Sequence, residues 1–327
     1  MCMDDISEDL LESARIALKD CMCLKKNETL LVVTDTGKDL IGDALFYAGS
    51  ELCSEHFLIV MKPRNRDGEN LPHIVEEAMK KADVVVIPTS KSATHTDARI
   101  NACAAGARVG TLPGISQDTM ERCFKADYKK IARRTIELTR ILTEASRVHV
   151  TTPSGTDISF SIKGIKAHAS TGIVDTPGKF GNIPSGEAYM MPKEGTAEGV
   201  IVIDGSVANI GLVDKNEPIK VKVEKGFATK ITGGDTAARL NKMLKQFGRD
   251  SHNIAEFGVG TNDAARLCGE ILEDEKVMGT VHFAFGNNKS MGGTFGVQIH
   301  IDALLLKPTF TLDDKIIMKD GKFQIKL

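Results

Sequence analysis

The sequence predicts an α/β protein in two parts, an N-terminal Rossmann-like parallel-sheet domain and a C-terminal α+β domain with a metal site. The first 125 residues alternate continuous apolar runs with amphipathic helical stretches, which is typical of a parallel sheet covered on both faces. The later residues form short segments of alternating polarity, separated by Gly, Asp and Asn, as in antiparallel sheets with one solvated face. A chain of 327 residues is long enough for two cores.

The predicted N-terminal domain covers residues 1–125. Residues 6–20 carry apolar side chains at helical spacing, and the next segments alternate between strand and helix patterns. In chain order, we predict a strand at 30–34, a helix ending near Gly49, a strand at 56–61, a helix at 70–81 and a strand at 82–88. The turn after the first strand reads TDTGKD and lacks G-x-G-x-x-G, so the sequence does not indicate NAD or FAD binding.

The predicted C-terminal domain covers residues 126–327 and begins with a long helix at 126–146 that bridges the two halves. Short strands follow it, at 148–150, 158–162, 200–203 and 219–223. Because several of these strands alternate polar and apolar side chains, we expect a strand-rich α+β domain.

The composition argues against nucleic-acid binding, membrane insertion and export. With 42 Lys and Arg against 44 Asp and Glu, the net charge of −2 gives no reason to expect nucleic-acid binding. No apolar run approaches the ~20 residues that a membrane helix needs, and the acidic N-terminus is unlike a signal peptide. We therefore expect a cytoplasmic protein without a membrane partner.

The cysteines favour reduced thiols over a disulfide framework or a structural zinc site. Their number, seven, is odd, and only Cys21 and Cys23 form a C-x-C pair, without a second pair at zinc-ribbon spacing. The seven are Cys2, Cys21, Cys23, Cys53, Cys103, Cys123 and Cys268.

Candidate metal ligands are concentrated in the C-terminal half. In the run QIHID, His300 and Asp302 point to the same face if the segment is a strand, because side chains alternate with period two. Two ionisable groups on one face of an apolar strand need compensation, which a divalent cation supplies. His282 lies within a strand pattern at 276–288, Glu256 begins a Gly-rich segment, and Glu187 lies in a loop restricted by Pro and Gly.

Each of these residues also has an ordinary explanation when taken alone. A strand histidine is commonly a hydrogen-bonded core residue, and a loop glutamate is commonly solvated. Together, two Glu, two His and one Asp are a plausible ligand set for a hydrolytic site with two divalent ions. Oxygen and imidazole donors without thiolate suit Zn²⁺, Mn²⁺, Co²⁺ or Fe²⁺.

The order GNIPSGEAY, AEFGVGTN, GTVHFAFG and HID resembles the M29 family of metal-dependent aminopeptidases, also called the aminopeptidase T or thermophilic metalloprotease family. The resemblance covers roughly residues 140–310. It implies a hydrolase that removes N-terminal residues from peptides with metal-activated water, a homodimer, and two ions of Zn, Co or Mn. It places the metal ligands on Glu187, Glu256, His282, His300 and Asp302.

The sequence departs from the M29 pattern at one position that matters for the reaction. M29 peptidases have a catalytic tyrosine seven residues after the third-motif histidine, and Lys289 stands at that position here. We consider two substitutes, the Lys289 cation and the hydroxyl of Tyr189, which follows Glu187 by two residues. The missing tyrosine also keeps open a degenerate, non-catalytic binding relative.

A second resemblance is to the 2,5-dihydroxypyridine 5,6-dioxygenases, which share this architecture and use one Fe²⁺ for ring cleavage. His282, His300 and Asp302 would form the facial triad of two His and one carboxylate, and His95 would be the acid–base group from the N-terminal domain.

The segment 88–99, which contains His95, follows the third predicted strand, where ligands of open α/β sheets bind. Lys91, Arg99 and a helix start there could hold a substrate carboxylate. The ordinary alternative is a helix cap with solvated charges.

Overall fold

The computed structural model describes residues 6–327, so Cys2 and the first residues of the acidic N-terminus lie outside the described part of the chain. The chain divides into two compact units. The first runs to Ala132 and includes Ser170–Ser185, and the second contains Arg133–Ala169 and Gly186–Leu327. The predicted domains, 1–125 and 126–327, differ from these units chiefly in the placement of Ser170–Ser185.

The helices and strands have the following bounds. The helices are α1 Glu8–Ile16, α2 Asp39–Leu52, α3 His73–Met79, α4 Asp97–Ala104, α5 Gln117–Cys123, α6 Tyr128–Glu144, α7 Asp235–Lys245 and α8 Ile271–Asp274. The strands up to the middle of the chain are β1 Thr29–Asp35, β2 Glu55–Met61, β3 Val84–Thr89, β4 Arg108–Pro113, β5 Arg147–Thr151, β6 Asp157–Ser161, β7 His168–Ser170, β8 Phe180–Asn182, β9 Glu187–Met190 and β10 Glu198–Ile203. The later strands are β11 Ser206–Val207, β12 Gly211–Leu212, β13 Ile219–Glu224, β14 Phe227–Thr232, β15 Ile254–Gly260, β16 Val281–Gly286, β17 His300–Leu305, β18 Thr309–Leu312, β19 Lys315–Lys319 and β20 Lys322–Phe323.

The first unit contains a five-stranded parallel sheet in the order β2-β1-β3-β4-β8. All residues of β3 and nearly all of β1 are buried, as expected when helices cover both faces of a parallel sheet. The predicted Rossmann-like α/β architecture is therefore confirmed. Two strands were not predicted: Gly110 interrupts the apolar pattern of β4, and β8 has only three residues in a segment that read as a loop.

The second unit contains two antiparallel sheets. Their orders are β14-β13-β10-β6-β5-β18-β19-β20 and β12-β11-β17-β16-β15-β9-β7. Phe160 of the larger sheet contacts Phe257 and Phe283 of the smaller one, with ring centroids 5.3 and 5.8 Å apart. Leu138 and Leu142 of α6 join this core. The predicted strand-rich α+β domain is thus present, and its hydrophobic core lies between the two sheets.

Helix α6 lies where the bridging helix was predicted, and it carries the chain from the first unit into the second. Among residues 6–327, no helix combines the length and the hydrophobicity needed to cross a membrane.

Candidate metal centre

Four neighbouring strands of the smaller antiparallel sheet carry the five predicted metal ligands on one face. Glu187 lies on β9, Glu256 on β15, His282 on β16, and both His300 and Asp302 on β17. Their sequence neighbours point to the opposite face and belong to the hydrophobic core; they include Ala188, Phe257, Phe283, Ile301 and Ala303. Alternation with period two therefore separates a polar face from an apolar one.

The five side chains form a continuous cluster. His282 Nε2 lies 3.5 Å from Glu187 Oε2 and 3.4 Å from Glu256 Oε1. His300 Nε2 lies 3.4 Å from Glu256 Oε2 and 3.3 Å from Asp302 Oδ1. The His282 side chain is fully buried, whereas that of His300 is 35% exposed, so the cluster is accessible from the His300 side.

Small residues make room for these groups on the polar face. Gly258 pairs with His282, and a Cβ atom at Gly258 would lie 2.0 Å from His282 Nε2. Ala284 stands in register between Glu256 and Asp302, where its short side chain lets the two carboxylates converge. The glycine in AEFGVG is therefore explained by the close approach of the His282 ring.

Two charged residues at this site were not predicted, namely Glu275 and Lys276. The Lys276 side chain is 1% exposed, its Nζ lies 2.7 Å from Glu187 Oε1, and it also contacts Glu275 Oε1. In the sequence, ILEDEKV reads as a solvated helix end, and no spacing rule distinguishes it from one. The burial of Glu275 and Lys276 depends on the tertiary structure, because the segment after α8 directs both side chains into the protein.

His300 has a defined tautomer. Its Nδ1 lies 2.8 Å from the carbonyl oxygen of Asn287, and a carbonyl can only accept, so Nδ1 donates and carries the proton. When the ring is neutral, Nε2 therefore carries the lone pair, and this nitrogen faces the cluster. Such a hydrogen bond from the far nitrogen is how metal-binding histidines are commonly oriented.

Mutual proximity shifts the ionisation of the cluster. Burial alone would raise the pKa of Glu256, but its contacts with His282 and His300 hold that pKa far below the usual range. Burial alone would lower the pKa of His282, but Glu256 and Glu187 raise it to about 9. Asp302 and Glu256 likewise outweigh the burial of His300 and raise its pKa well above the ordinary value. Without a metal, the carboxylates thus favour protonated imidazoles.

The donor set fits a divalent cation. Four carboxylates, those of Glu187, Glu256, Glu275 and Asp302, surround one ammonium and two imidazoles. Within residues 6–327, the buried carboxylate atom Glu187 Oε2 has no hydrogen-bond partner. Burying uncompensated carboxylates is costly, and a divalent ion bound by oxygen and imidazole removes that cost.

Two predicted catalytic candidates, Tyr189 and Lys289, also belong to the second unit, and Tyr189 borders the cluster. Tyr189 is half-buried on β9, and its ring stacks on that of His168, with centroids 5.4 Å apart and an interplanar angle of 26°. Lys289 is exposed in a short 3₁₀ turn, and its side chain packs over Gly296. The catalytic roles of Tyr189 and Lys289 remain predictions.

The other three candidates lie in the first unit: Lys91 and His95 between β3 and α4, and Arg99 in the first turn of α4. His95 is exposed and Lys91 is half-buried. Arg99 is buried: its Nε donates to the carbonyl of Thr94 at 2.7 Å, and its guanidinium lies 3.8 Å from the ring centroid of Phe180. Their proposed functions as base and anion-binding groups remain predictions.

Comparisons with known proteins distinguish the aminopeptidase hypothesis from the dioxygenase hypothesis. The family model described as NicX, 2,5-dihydroxypyridine 5,6-dioxygenase, matches residues 9–325. A curated 2,5-dihydroxypyridine 5,6-dioxygenase from Pseudomonas putida KT2440 is 28% identical over 259 residues, which is 75% of this chain and 72% of the relative.

Two solved structures share the fold. The 2,5-dihydroxypyridine dioxygenase structure from Pseudomonas putida KT2440 aligns with a TM-score of 0.82 and 21% identity, covering 97% of each chain. Wild-type AmpT from Thermus thermophilus aligns with a TM-score of 0.72 and 15% identity, covering 97% of this chain and 99% of its own. At these identities the two structures establish the fold alone.

The comparisons correct the leading functional prediction. The prediction of a metallo-aminopeptidase, and with it the classes hydrolase and metalloprotease, is wrong: the family model and the curated relative both name a dioxygenase. The M29-like motifs lie on a polar strand face of a fold that several enzymes share. They therefore predicted the fold correctly but not the reaction. The departure at Lys289 was the one residue that pointed away from the peptidase.

Proposed function

Because this chain belongs to the NicX family of 2,5-dihydroxypyridine 5,6-dioxygenases, we propose that it is an Fe(II)-dependent dioxygenase that opens the ring of a dihydroxylated pyridine. The observation that carries the proposal is the convergence of two strand histidines and Asp302 on one sheet face, where both histidines contact the buried carboxylate of Glu256. The curated relative acts, by its name, on 2,5-dihydroxypyridine, which is therefore the first substrate to test.

In this proposal, His282, His300 and Asp302 hold the iron. Two imidazoles and one carboxylate are the usual protein ligands of non-haem Fe(II) oxygenases, which leave coordination positions open for other ligands. When bound, Fe²⁺ supplies the redox chemistry that O₂ needs to react with an aromatic ring. The Asn287 carbonyl fixes the His300 ring, and each oxygen of Glu256 lies near one imidazole Nε2, so Glu256 keeps the two rings oriented.

The substrate ring would lie against the stacked pair of His168 and Tyr189. Tyr189 pairs with Gly258, which in turn pairs with His282, so the aromatic pair borders the cluster on the same sheet face. Both rings are only partly buried, and a flat ring is a good surface for a planar heteroaromatic compound. Tyr189 would thus position the substrate, whether or not its hydroxyl also takes part in proton transfer.

The test combines metal analysis with oxygen uptake. Protein reconstituted with Fe²⁺ under nitrogen should bind about one iron per chain and consume O₂ when 2,5-dihydroxypyridine is added. His300→Ala should lose both the iron and the oxygen uptake. His149→Ala is the matched control, because His149 is another strand histidine of the second unit, partly exposed and paired with Asp157 at 2.8 Å.

Two results would contradict the proposal. One is an iron-loaded protein that consumes no O₂ with any dihydroxylated pyridine. The other is His300→Ala protein that keeps the iron content and activity of the His149→Ala control.

We also propose that the enzyme works in the reducing cytoplasm, since the cysteines among the described residues are free thiols. The homodimer remains a prediction, which light scattering of the purified protein tests.

A further inference from the structure

The polar sheet face offers two groups of potential metal ligands rather than one. Glu187, Glu275 and His282 have ligand atoms within 4.8 Å of one another, and we call them the inner group. Glu256, His300 and Asp302 meet the same criterion, and we call them the outer group. His282 Nε2 also lies 3.4 Å from Glu256 Oε1, so the two groups adjoin at His282. Because the proposed function assigns His282 to the iron, a second ion in the inner group would rely on the carboxylates of Glu187 and Glu275. On ligand chemistry alone, the face could therefore hold two ions.

The inner group already contains a positive charge. The Lys276 ammonium contacts one oxygen of Glu187 and one oxygen of Glu275, two of the three members. The backbone on either side of Lys276 is fixed, since its carbonyl accepts from Asn262 N at 2.9 Å and Asn262 forms a bridge with Val277. A lysine this deeply buried is tolerated only when paired, so the ammonium and the two carboxylates depend on each other.

The outer group has no such cation. Among the described residues, the ion-pair partners of Glu256 and Asp302 are the two histidines, and no lysine or arginine contacts either carboxylate. Among the described residues, the outer carboxylates are thus paired with imidazoles, which can themselves bind a metal, whereas a fixed ammonium contacts both inner carboxylates.

We propose that Lys276 is a built-in cation that occupies the place of a second metal ion and so keeps this site mononuclear. The ammonium binds one oxygen each of Glu187 and Glu275, the two carboxylates that an ion in the inner group would share. It would also repel a divalent ion at the same place, because two like charges a few ångströms apart in a buried site interact strongly. The inference deepens the proposed function, because it concerns the metal content of the same site and rests on that site binding metal.

The test is to remove the charge and count the ions. Lys276→Met keeps most of the side-chain volume but has no charge, and the flexible methionine can fill the space. After equilibration with Mn²⁺ or Zn²⁺ and removal of free metal, the wild type should hold about one ion per chain and Lys276→Met about two. Lys276→Arg keeps the charge and should remain at one ion. Lys276→Met combined with Glu275→Gln removes an inner ligand and should return to one.

Uncompensated carboxylates could prevent Lys276→Met from folding in the absence of metal. Refolding with and without Mn²⁺ addresses this, because an ion that binds the folded state stabilises it. We expect the unfolding temperature of Lys276→Met to rise more with Mn²⁺ than that of Lys276→Arg.

Two outcomes overturn the inference: a wild type that binds two ions, or a Lys276→Met protein that gains neither a second ion nor extra stability from Mn²⁺. Neither outcome bears on oxygen uptake by the iron-loaded wild type. The proposed function can therefore fail or stand independently of this one.

Discussion

Gly258 shows how much one position on the polar face is constrained by its neighbour. A methyl group there would overlap the ring of His282, which is fully buried. Gly258→Ala should therefore displace the imidazole, weaken metal binding more than tenfold and destabilise the protein by about 1–3 kcal/mol. Calorimetric titration with Mn²⁺ and denaturant unfolding measure the two effects.

The control for this change is Gly181→Ala on β8. A Cβ at Gly181 would meet Val174 at 3.4 Å, an ordinary contact, so metal binding should be unchanged. Gly258→Ala protein with wild-type metal affinity would show that the His282 ring is not needed in its observed position.

The histidines give the metal-free protein a defined pH dependence. The pKa of His282 is raised from 6.5 to about 9 in the folded state. Stability from its protonation is therefore fully present below about 6.5 and is lost as the pH rises through about 9. In EDTA, the unfolding temperature should fall over this interval, whereas affinity for Mn²⁺ should rise because binding displaces the proton. A metal affinity that is flat from pH 6.5 to 9 would indicate that His282 binds no metal.

At the same scale, sequence reasoning found the five residues of one polar face but not Glu275 and Lys276. His282, His300 and Asp302 stand where polarity conflicts with an apolar strand pattern, as in VHFAFG and QIHID, and that conflict is visible without a structure. Glu187 and Glu256 were chosen as carboxylates in segments rich in Gly. Lys276 follows three acidic residues in a helical segment, where charge is ordinary. Its burial depends on how the chain folds back toward β9, which no local pattern encodes.

At the level of elements, the strands that carry the site are held by an aromatic cluster on their other face. Phe257 of β15 is fully buried and contacts Phe160, Phe283 and Phe310. The alternation that directs Glu256 and Gly258 to the polar face directs Phe257 into the core. The sequence singled out Glu256 as a candidate although it predicted only a Gly-rich segment where β15 lies, because a carboxylate beside apolar residues is visible without the strand. Its metal-binding role remains a prediction.

Phe257→Ala should destabilise the second unit by about 3–5 kcal/mol, because it leaves a cavity between two sheets. Phe247→Ala, at a 39% exposed phenylalanine just past α7, is the matched control and should cost less than about 1 kcal/mol. Denaturant unfolding followed by far-UV circular dichroism compares them. Equal losses in the two variants would contradict the role given to the aromatic cluster.

For the whole molecule, the sequence predicts the fold but not the reaction. Alternating periodicities predicted both halves of the α/β architecture, and the missed strands β4 and β8 extend the parallel sheet without changing its class. The reaction was predicted wrongly because the dioxygenase and AmpT share the scaffold at 21% and 15% identity with this chain. The same carboxylates and imidazoles suit more than one metal and more than one reaction.

Because the proposed ligands all belong to the second unit, metal binding should stabilise that unit selectively. An ion at 100 times its dissociation constant adds about 2.7 kcal/mol to the free energy of unfolding of the part that binds it. Hydrogen exchange with and without Mn²⁺ should therefore show slower exchange in β15, β16 and β17, and little change in β1 and β3 of the parallel sheet. His300→Ala should abolish the difference and His149→Ala should keep it. Protection that rises equally in β1 and β3 would mean that the ion stabilises the chain as one cooperative unit, and slower exchange confined to the parallel sheet would place the metal outside this cluster.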